Sequence, residues 1–203
     1  MPGSIQVPIP GPLPVFAPRP LSWGALIGLI LLYLTVGYYA GGWAADRWPR
    51  ADYLYRLTAV AAALVLLIPP VSRPVLLFSQ RALDSFAAGA FGGALVAVIL
   101  IFAPPVVLLG MVSPWVIRLR VDAISGAGRA AGAVYAISTA GSILGAFLPA
   151  FWWIPSYGTR ATIYGLGLVM LVISAIGMMR LGDRAAAPLA LLCALPLLAA
   201  LAP

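Results

Sequence analysis

The chain has no histidine, no lysine, no glutamate and no asparagine, and its single cysteine is Cys193. Without histidine it lacks the commonest metal ligand and the usual general base near neutral pH. A single cysteine excludes an intrachain disulfide. We therefore predict no metal site, no cofactor and no catalytic residue, and we expect that the protein is not an enzyme.

Charge is also scarce, since only 8% of the residues are charged while 63% are hydrophobic. A soluble domain usually contains about 25% charged residues, so this chain needs lipid to cover its apolar surface. All 12 basic residues are arginines. They stand at the ends of apolar stretches and form no basic face, which argues against a nucleic-acid partner.

Charged residues divide the chain into uncharged stretches, most of which approach the ~20 residues that a helix needs to cross the hydrocarbon core. We therefore predict an all-α transmembrane bundle of about six helices over residues 21–203, preceded by a proline-rich arm over residues 1–20. Whether the last stretch spans the membrane stays open, because two prolines interrupt it. The stretches are Pro20–Ala45, Leu57–Ser72, Ser85–Ile117, Ala130–Thr159, Ala161–Met179 and Ala185–Pro203.

The arginines are distributed unevenly over the predicted loops. The first, third and fifth loops hold eight of them and the opposite side holds four. The positive-inside rule then places the odd-numbered loops in the cytoplasm and the N-terminus outside the cell (inner) membrane. These loop charges either contact lipid phosphate or a partner's acidic loop, or they serve topology alone. The residues singled out are Asp46, Arg47, Arg118, Arg120 and Arg129.

Several glycine pairs have the small-xxx-small spacing that lets helices approach closely in lipid. We predict helix packing at Gly89 and Gly93 and, above all, at Gly141 and Gly145, whose small face Ser138 and Ser142 extend. Glycine is frequent here, with 21 residues, so some pairs arise by chance. The pairs are Gly24/Gly28, Gly37/Gly41, Gly89/Gly93, Gly128/Gly132 and Gly141/Gly145.

The first 20 residues are rich in proline, which favours an extended, polyproline-like arm. A preformed segment of this kind loses little entropy when it docks. We predict that the arm binds a neighbouring subunit on the outer face of the membrane. The residues expected at that contact are Pro8, Pro10, Pro12, Pro14 and Phe16.

Three stretches, Gly41–Arg47, Leu109–Arg118 and Gly132–Arg160, resemble the membrane domain of the spermidine synthase-like proteins. In that family a major-facilitator-like membrane half is fused to an aminopropyltransferase domain. The resemblance implies half of a major-facilitator-type fold. The chain departs from the family at Ser138, where the family carries Asn, and in its proline-rich arm, which replaces an apolar helix. It ends at Pro203 without a synthase domain, so no catalytic residue carries over.

These observations together predict a non-catalytic integral membrane subunit. We expect it to pack against other integral membrane subunits and lipids in a larger complex, with electron-transport and photosynthetic assemblies as candidates. The alternative is a transporter-like membrane half that acts as a dimer or with a separate soluble polyamine synthase. Every charge lies at the end of a predicted span, which argues against a proton-coupled carrier because such carriers need ionisable groups at membrane depth.

Overall fold

A computed structural model describes residues 20–83, 89–121 and 127–182, and every regular element in those ranges is a helix. This confirms the all-α prediction for the described part of the chain. Residues 1–19 of the proline-rich arm and the last stretch, Ala185–Pro203, lie outside the described residues. The elements are α1 (Pro20–Arg47), α2 (Ala51–Leu83), α3 (Gly89–Arg120), α4 (Ala127–Leu148), a π-helical turn (Pro149–Trp153) and α5 (Ile154–Arg180).

Four helical segments are long and apolar enough to cross a membrane, which agrees with a helical membrane bundle. Each exceeds or matches the ~20 residues that a crossing requires. The count of six helices and the likeness to half of a major facilitator stay predictions. The segments are Gly24–Arg47, Ala51–Ser72, Ile101–Arg120 and Ala127–Arg180.

The turn between α1 and α2 follows from local chemistry. The residue before a proline avoids helical backbone, so α1 ends ahead of Trp48 and Pro49. The Trp48 N–H closes the last turn on the Ala44 carbonyl at 2.9 Å. Arg47 in the last turn of α1 and Asp52 in the first turn of α2 each suit the partial charge of their helix end.

Helices α1 and α3 run parallel and approach each other closely through glycine. An ideal Cβ added to Gly41 would lie 2.5 Å from the Met111 Cα, and one added to Gly110 would lie 3.2 Å from the Gly37 Cα. Residue numbers rise together along the two helices, which shows that they are parallel. Backbone contact of this kind is how small residues hold helices together in lipid.

Helices α2 and α5 run antiparallel, with large side chains of α2 seated over glycines of α5. A Cβ on Gly167 would lie 2.7 Å from Leu66 Cδ2, and one on Gly177 would collide with the Tyr55 ring. The numbers rise along one helix and fall along the other, which sets the direction. The buried cluster at this contact comprises Ala59, Ala62, Leu66, Leu171 and Met178.

One end of the bundle collects charged residues and is called the polar end below. Helices α1 and α3 end there and α2 begins there, joined by buried contacts among Ala44, Ala45, Leu54 and Trp115. Because Gly177 meets Tyr55, α5 also ends there. The charged residues of the polar end are Asp46, Arg47, Arg50, Asp52, Arg56, Arg118, Arg120 and Arg180.

The predicted fourth and fifth helices are present as two helices in one continuous run, Ala127–Arg180, with a kink between them and no loop. The run breaks at Gly158, whose φ of 79° and ψ of 163° are essentially confined to glycine. This break lies two residues before Arg160, where the boundary was predicted. At Pro149 the missing N–H widens the helix into a π turn, closed by the Ile154 N–H on the Pro149 carbonyl.

Helix α2 also differs from the prediction, since it continues to Leu83 instead of ending near Ser72. It passes through Pro69, Pro70 and Pro74, each of which removes one backbone donor. The Ser72 hydroxyl donates to the Pro69 carbonyl at 2.9 Å, so this side chain is hydrogen-bonded within its own helix.

Candidate functional site

An ion pair crosses the polar end and links α1 to α3. The Arg118 Nε donates to Asp46 Oδ1 at 3.0 Å, between residues 72 positions apart in the chain. The side chains are 46% and 74% exposed respectively, so solvent screens the pair. Exposed pairs of this kind contribute roughly 0.2–1 kcal/mol. The pair therefore orients the helix ends more than it stabilises the fold.

Aromatic rings and arginines alternate along the α1–α2 turn. Trp43 and Trp48 meet edge to face with centroids 5.9 Å apart. The Arg47 guanidinium lies 5.9 Å from the Trp48 ring centroid, and that of Arg50 lies 5.5 Å from the Tyr53 centroid. Tryptophan and tyrosine concentrate at the level of lipid headgroups. The polar end thus has the chemistry of a membrane–water interface.

The structure separates the five predicted loop charges into different environments. Asp46 and Arg118 pair with each other, and Arg47 lies near an indole ring. Arg120 is exposed at the end of α3, and Arg129 is exposed in the first turn of α4. Their placement on the cytoplasmic side stays a prediction.

Helix α4 has no buried residue. Among the described elements it contacts α3 and the π-helical turn, and it does not pack along α1, α2 or α5. Its large side chains are exposed, including Tyr135 at 60%, Ile137 at 71% and Leu144 at 66%. A whole face of this helix is therefore open to lipid or to another protein.

The open helix carries a stripe of small residues, Ser138, Gly141, Ser142 and Gly145, at positions i, i+3, i+4 and i+7 of one face. A Cβ added to Gly141 or Gly145 meets no heavy atom within 4 Å. Within the described chain neither glycine makes the predicted helix contact, so packing at them stays a prediction about a contact with another molecule. The surroundings of the other predicted pair, Gly89 and Gly93, lie outside the described residues.

Three hydroxyls of α4 make no hydrogen bond to a described residue, namely those of Ser138, Thr139 and Ser142. Other hydroxyls of the bundle are paired, although not all of them. Thr35 and Thr58 each donate to the carbonyl four residues earlier, at 2.8 and 2.9 Å. An unpaired hydroxyl in apolar surroundings costs about 1–3 kcal/mol by protein mutational data. The α4 stripe is therefore polar as well as small.

Sequence reasoning gave most weight to Gly141 and Gly145, and it did not single out Gly110 as a packing residue. Gly37 and Gly41 were recognised as one pair among several, and among the pairs whose surroundings the structure describes they are the one that meets a neighbouring helix. Gly110 stands alone in an apolar run, with no second glycine three or four residues away. No local signal distinguished it.

Within the described ranges no group of three or more histidine, cysteine, aspartate or glutamate side chains could hold a metal ion. The described spans do contain buried polar atoms without a partner, such as the Ser174 Oγ and the Tyr164 hydroxyl. Neither is paired with a general base.

The fold and these surfaces define an α-helical, multi-pass type of membrane protein. Comparison with protein-family models, with curated proteins and with solved structures gives no match. The resemblance to the spermidine synthase-like membrane domain therefore stays a prediction.

Proposed function

We propose that this chain is a non-catalytic, multi-pass membrane subunit that packs through α4 against another integral membrane protein. The observation that carries the proposal is the stripe of Ser138, Gly141, Ser142 and Gly145, which is open along its length and holds unpaired hydroxyls.

The physical argument rests on what lipid can and cannot offer such a face. Hydrocarbon tails cover large apolar side chains well, but they provide no hydrogen-bond partner for a hydroxyl. A second helix laid against the stripe offers carbonyls and side chains to Ser138 and Ser142. Glycines at 141 and 145 let its backbone approach closely, as Gly37 and Gly110 do between α1 and α3.

The rest of the bundle serves as the scaffold for this face. Helices α1, α2, α3 and α5 bury their contacts on one another, while α4 follows α3 and leads through the π-helical turn toward the break at Gly158. The aromatic and arginine residues of the polar end set the depth of the bundle in the membrane. The proposal places that end in the cytoplasm, because most of the arginines lie in the loops on its side.

Site-directed crosslinking tests the partner face. In a Cys193→Ser background, Ser142→Cys carries a photoactivatable group on the stripe, and Ala140→Cys carries the same group roughly 160° away around the helix. Irradiation in the membranes where the chain is expressed should join Ser142→Cys to another integral membrane protein and Ala140→Cys to lipid. Lipid adducts alone from both positions would show that the stripe faces the bilayer.

The same experiment distinguishes the second candidate function. A transporter-like half that acts as a dimer would place a second copy on the stripe, so the Ser142→Cys adduct would have twice the mass of the chain. Adducts to a different protein support the subunit proposal instead.

Thiol labelling tests the orientation. A membrane-impermeant reagent added from outside should label Arg160→Cys, which lies at the start of α5, and should leave Arg120→Cys at the polar end unlabelled. The reverse pattern would invert the proposed topology.

A further inference from the structure

A cleft of about 420 Å³ opens at the polar end between α2, α3 and α5. Its walls include Leu54 and Tyr55 of α2, Val116 of α3 and Ile173 of α5. Pockets that hold small ligands are typically ~300–1,000 Å³. The cleft therefore has room for a molecule of that size, or for part of a larger one.

The walls of the cleft are apolar and its one charged lining residue is Arg120. Two lining residues, Tyr55 and Thr58, carry a hydroxyl, and that of Thr58 donates to the Leu54 carbonyl at 2.9 Å. Arg120 lies in the last turn of α3 and is exposed. The cleft thus joins an apolar slot to a guanidinium.

Arg120 differs from the neighbouring arginine on the same turn. Arg118 is paired with Asp46, whereas no ion pair joins Arg120 to a residue that the structure describes. Guanidinium groups bind phosphate oxygens in bidentate fashion. The ring of Trp48 and the other interfacial aromatics at the polar end mark the depth at which lipid phosphates lie.

We propose that this cleft binds an anionic phospholipid, with one acyl chain against the apolar walls and the headgroup phosphate on Arg120. Charge complementarity favours this occupant, because a phosphate gives the guanidinium a charged hydrogen-bond partner that an uncharged apolar molecule does not supply. The site is separate from the α4 stripe and does not depend on the partner proposed there.

Lipid titration of the purified, delipidated chain tests the proposal. Phosphatidylglycerol and phosphatidylcholine with identical acyl chains are added, and thermal stability and bound-lipid mass are measured. One phosphatidylglycerol should bind about fivefold more tightly than phosphatidylcholine, since one arginine near the surface contributes about 1 kcal/mol to anionic lipid binding. Equal binding of the two lipids would overturn the proposal.

Three variants, one control variant and one soluble probe identify the site. Arg120→Gln should remove the fivefold preference, while the matched control Arg129→Gln, at an exposed arginine outside the cleft lining, should keep it. Val116→Phe, which fills the slot, should weaken the binding of both lipids. Because that variant also alters packing, Ile173→Trp at the half-exposed rim of the cleft repeats the test. An unchanged preference in Arg120→Gln would overturn the proposal. The proposal would also be overturned if inorganic phosphate raised the thermal stability as much as phosphatidylglycerol does, because the site would then bind an anion and not a lipid.

Discussion

The contact between α1 and α3 offers a sharp test of the packing, because a single methyl group has no room there. In Gly41→Ala the new Cβ would lie 2.5 Å from the Met111 Cα and 2.8 Å from the Met111 carbonyl oxygen. Non-bonded carbon atoms prefer ~3.5–4.0 Å, so the helices would have to separate by roughly 1 Å. Both obstructing atoms belong to the backbone, which no rotamer change can move.

The expected size of the effect comes from two opposing terms. Overpacking in a close contact costs about 1–3 kcal/mol. Replacing glycine by alanine inside a helix contributes about 1 kcal/mol in the favourable direction. Gly42→Ala is the matched control, since it gains the same helix propensity and its added Cβ meets nothing within 4 Å. The difference between Gly41→Ala and Gly42→Ala then isolates the clash, at about 1–3 kcal/mol.

The free energy of unfolding of the purified chain, measured by titration with a denaturing detergent, decides the matter. Gly41→Ala should unfold at lower detergent than the parent, and Gly42→Ala at equal or higher detergent. If the two variants unfold together, α1 and α3 do not approach as closely as their glycines indicate, and the reasoning fails.

Three further predictions concern the break, the core and the polar end. Gly158→Ala should destabilise the chain by about 1–3 kcal/mol, because alanine does not readily adopt the positive φ of that position. The control Gly165→Ala, at a helical position with room for a Cβ, should not destabilise it, and the same detergent titration compares the two variants. Ser174→Ala should raise the free energy of unfolding by about 1 kcal/mol, since the buried Ser174 Oγ has no hydrogen-bond partner. A lower free energy of unfolding would show that this hydroxyl does make a hydrogen bond. A double-mutant cycle of Asp46→Asn and Arg118→Gln should give a coupling energy below about 1 kcal/mol that decreases with added salt. A coupling energy unaffected by salt would contradict the conclusion that the pair is exposed to solvent.

Much of the helical architecture follows from the positions of charges. The predicted ends near Ala45 and Ile117 lie within three residues of the observed ends of α1 and α3. A charge inside hydrocarbon is costly whatever surrounds it. For that reason Arg47 and Arg118 mark helix ends without any knowledge of their neighbours.

Boundaries set by backbone geometry were harder to predict. The charge of Arg73 indicated an end for α2 near residue 72, yet the helix continues through three prolines to Leu83. The turn expected at Arg160 proved to be a single residue with positive φ, Gly158, within a long helical run. Proline and glycine permit several backbone paths, and the path taken depends on which carbonyls other groups can satisfy.

The sequence by itself determined that the chain is helical and suited to a membrane, because in hydrocarbon each backbone group must be satisfied within its own segment and charges must lie outside. It did not determine which small faces meet. Gly37/Gly41 and Gly141/Gly145 have the same spacing, and only the tertiary structure shows the first pair against α3 and the second pair open. Contact between helices in lipid depends on a complementary surface on the neighbour, here supplied by Gly110, and that complementarity is not a property of either segment alone.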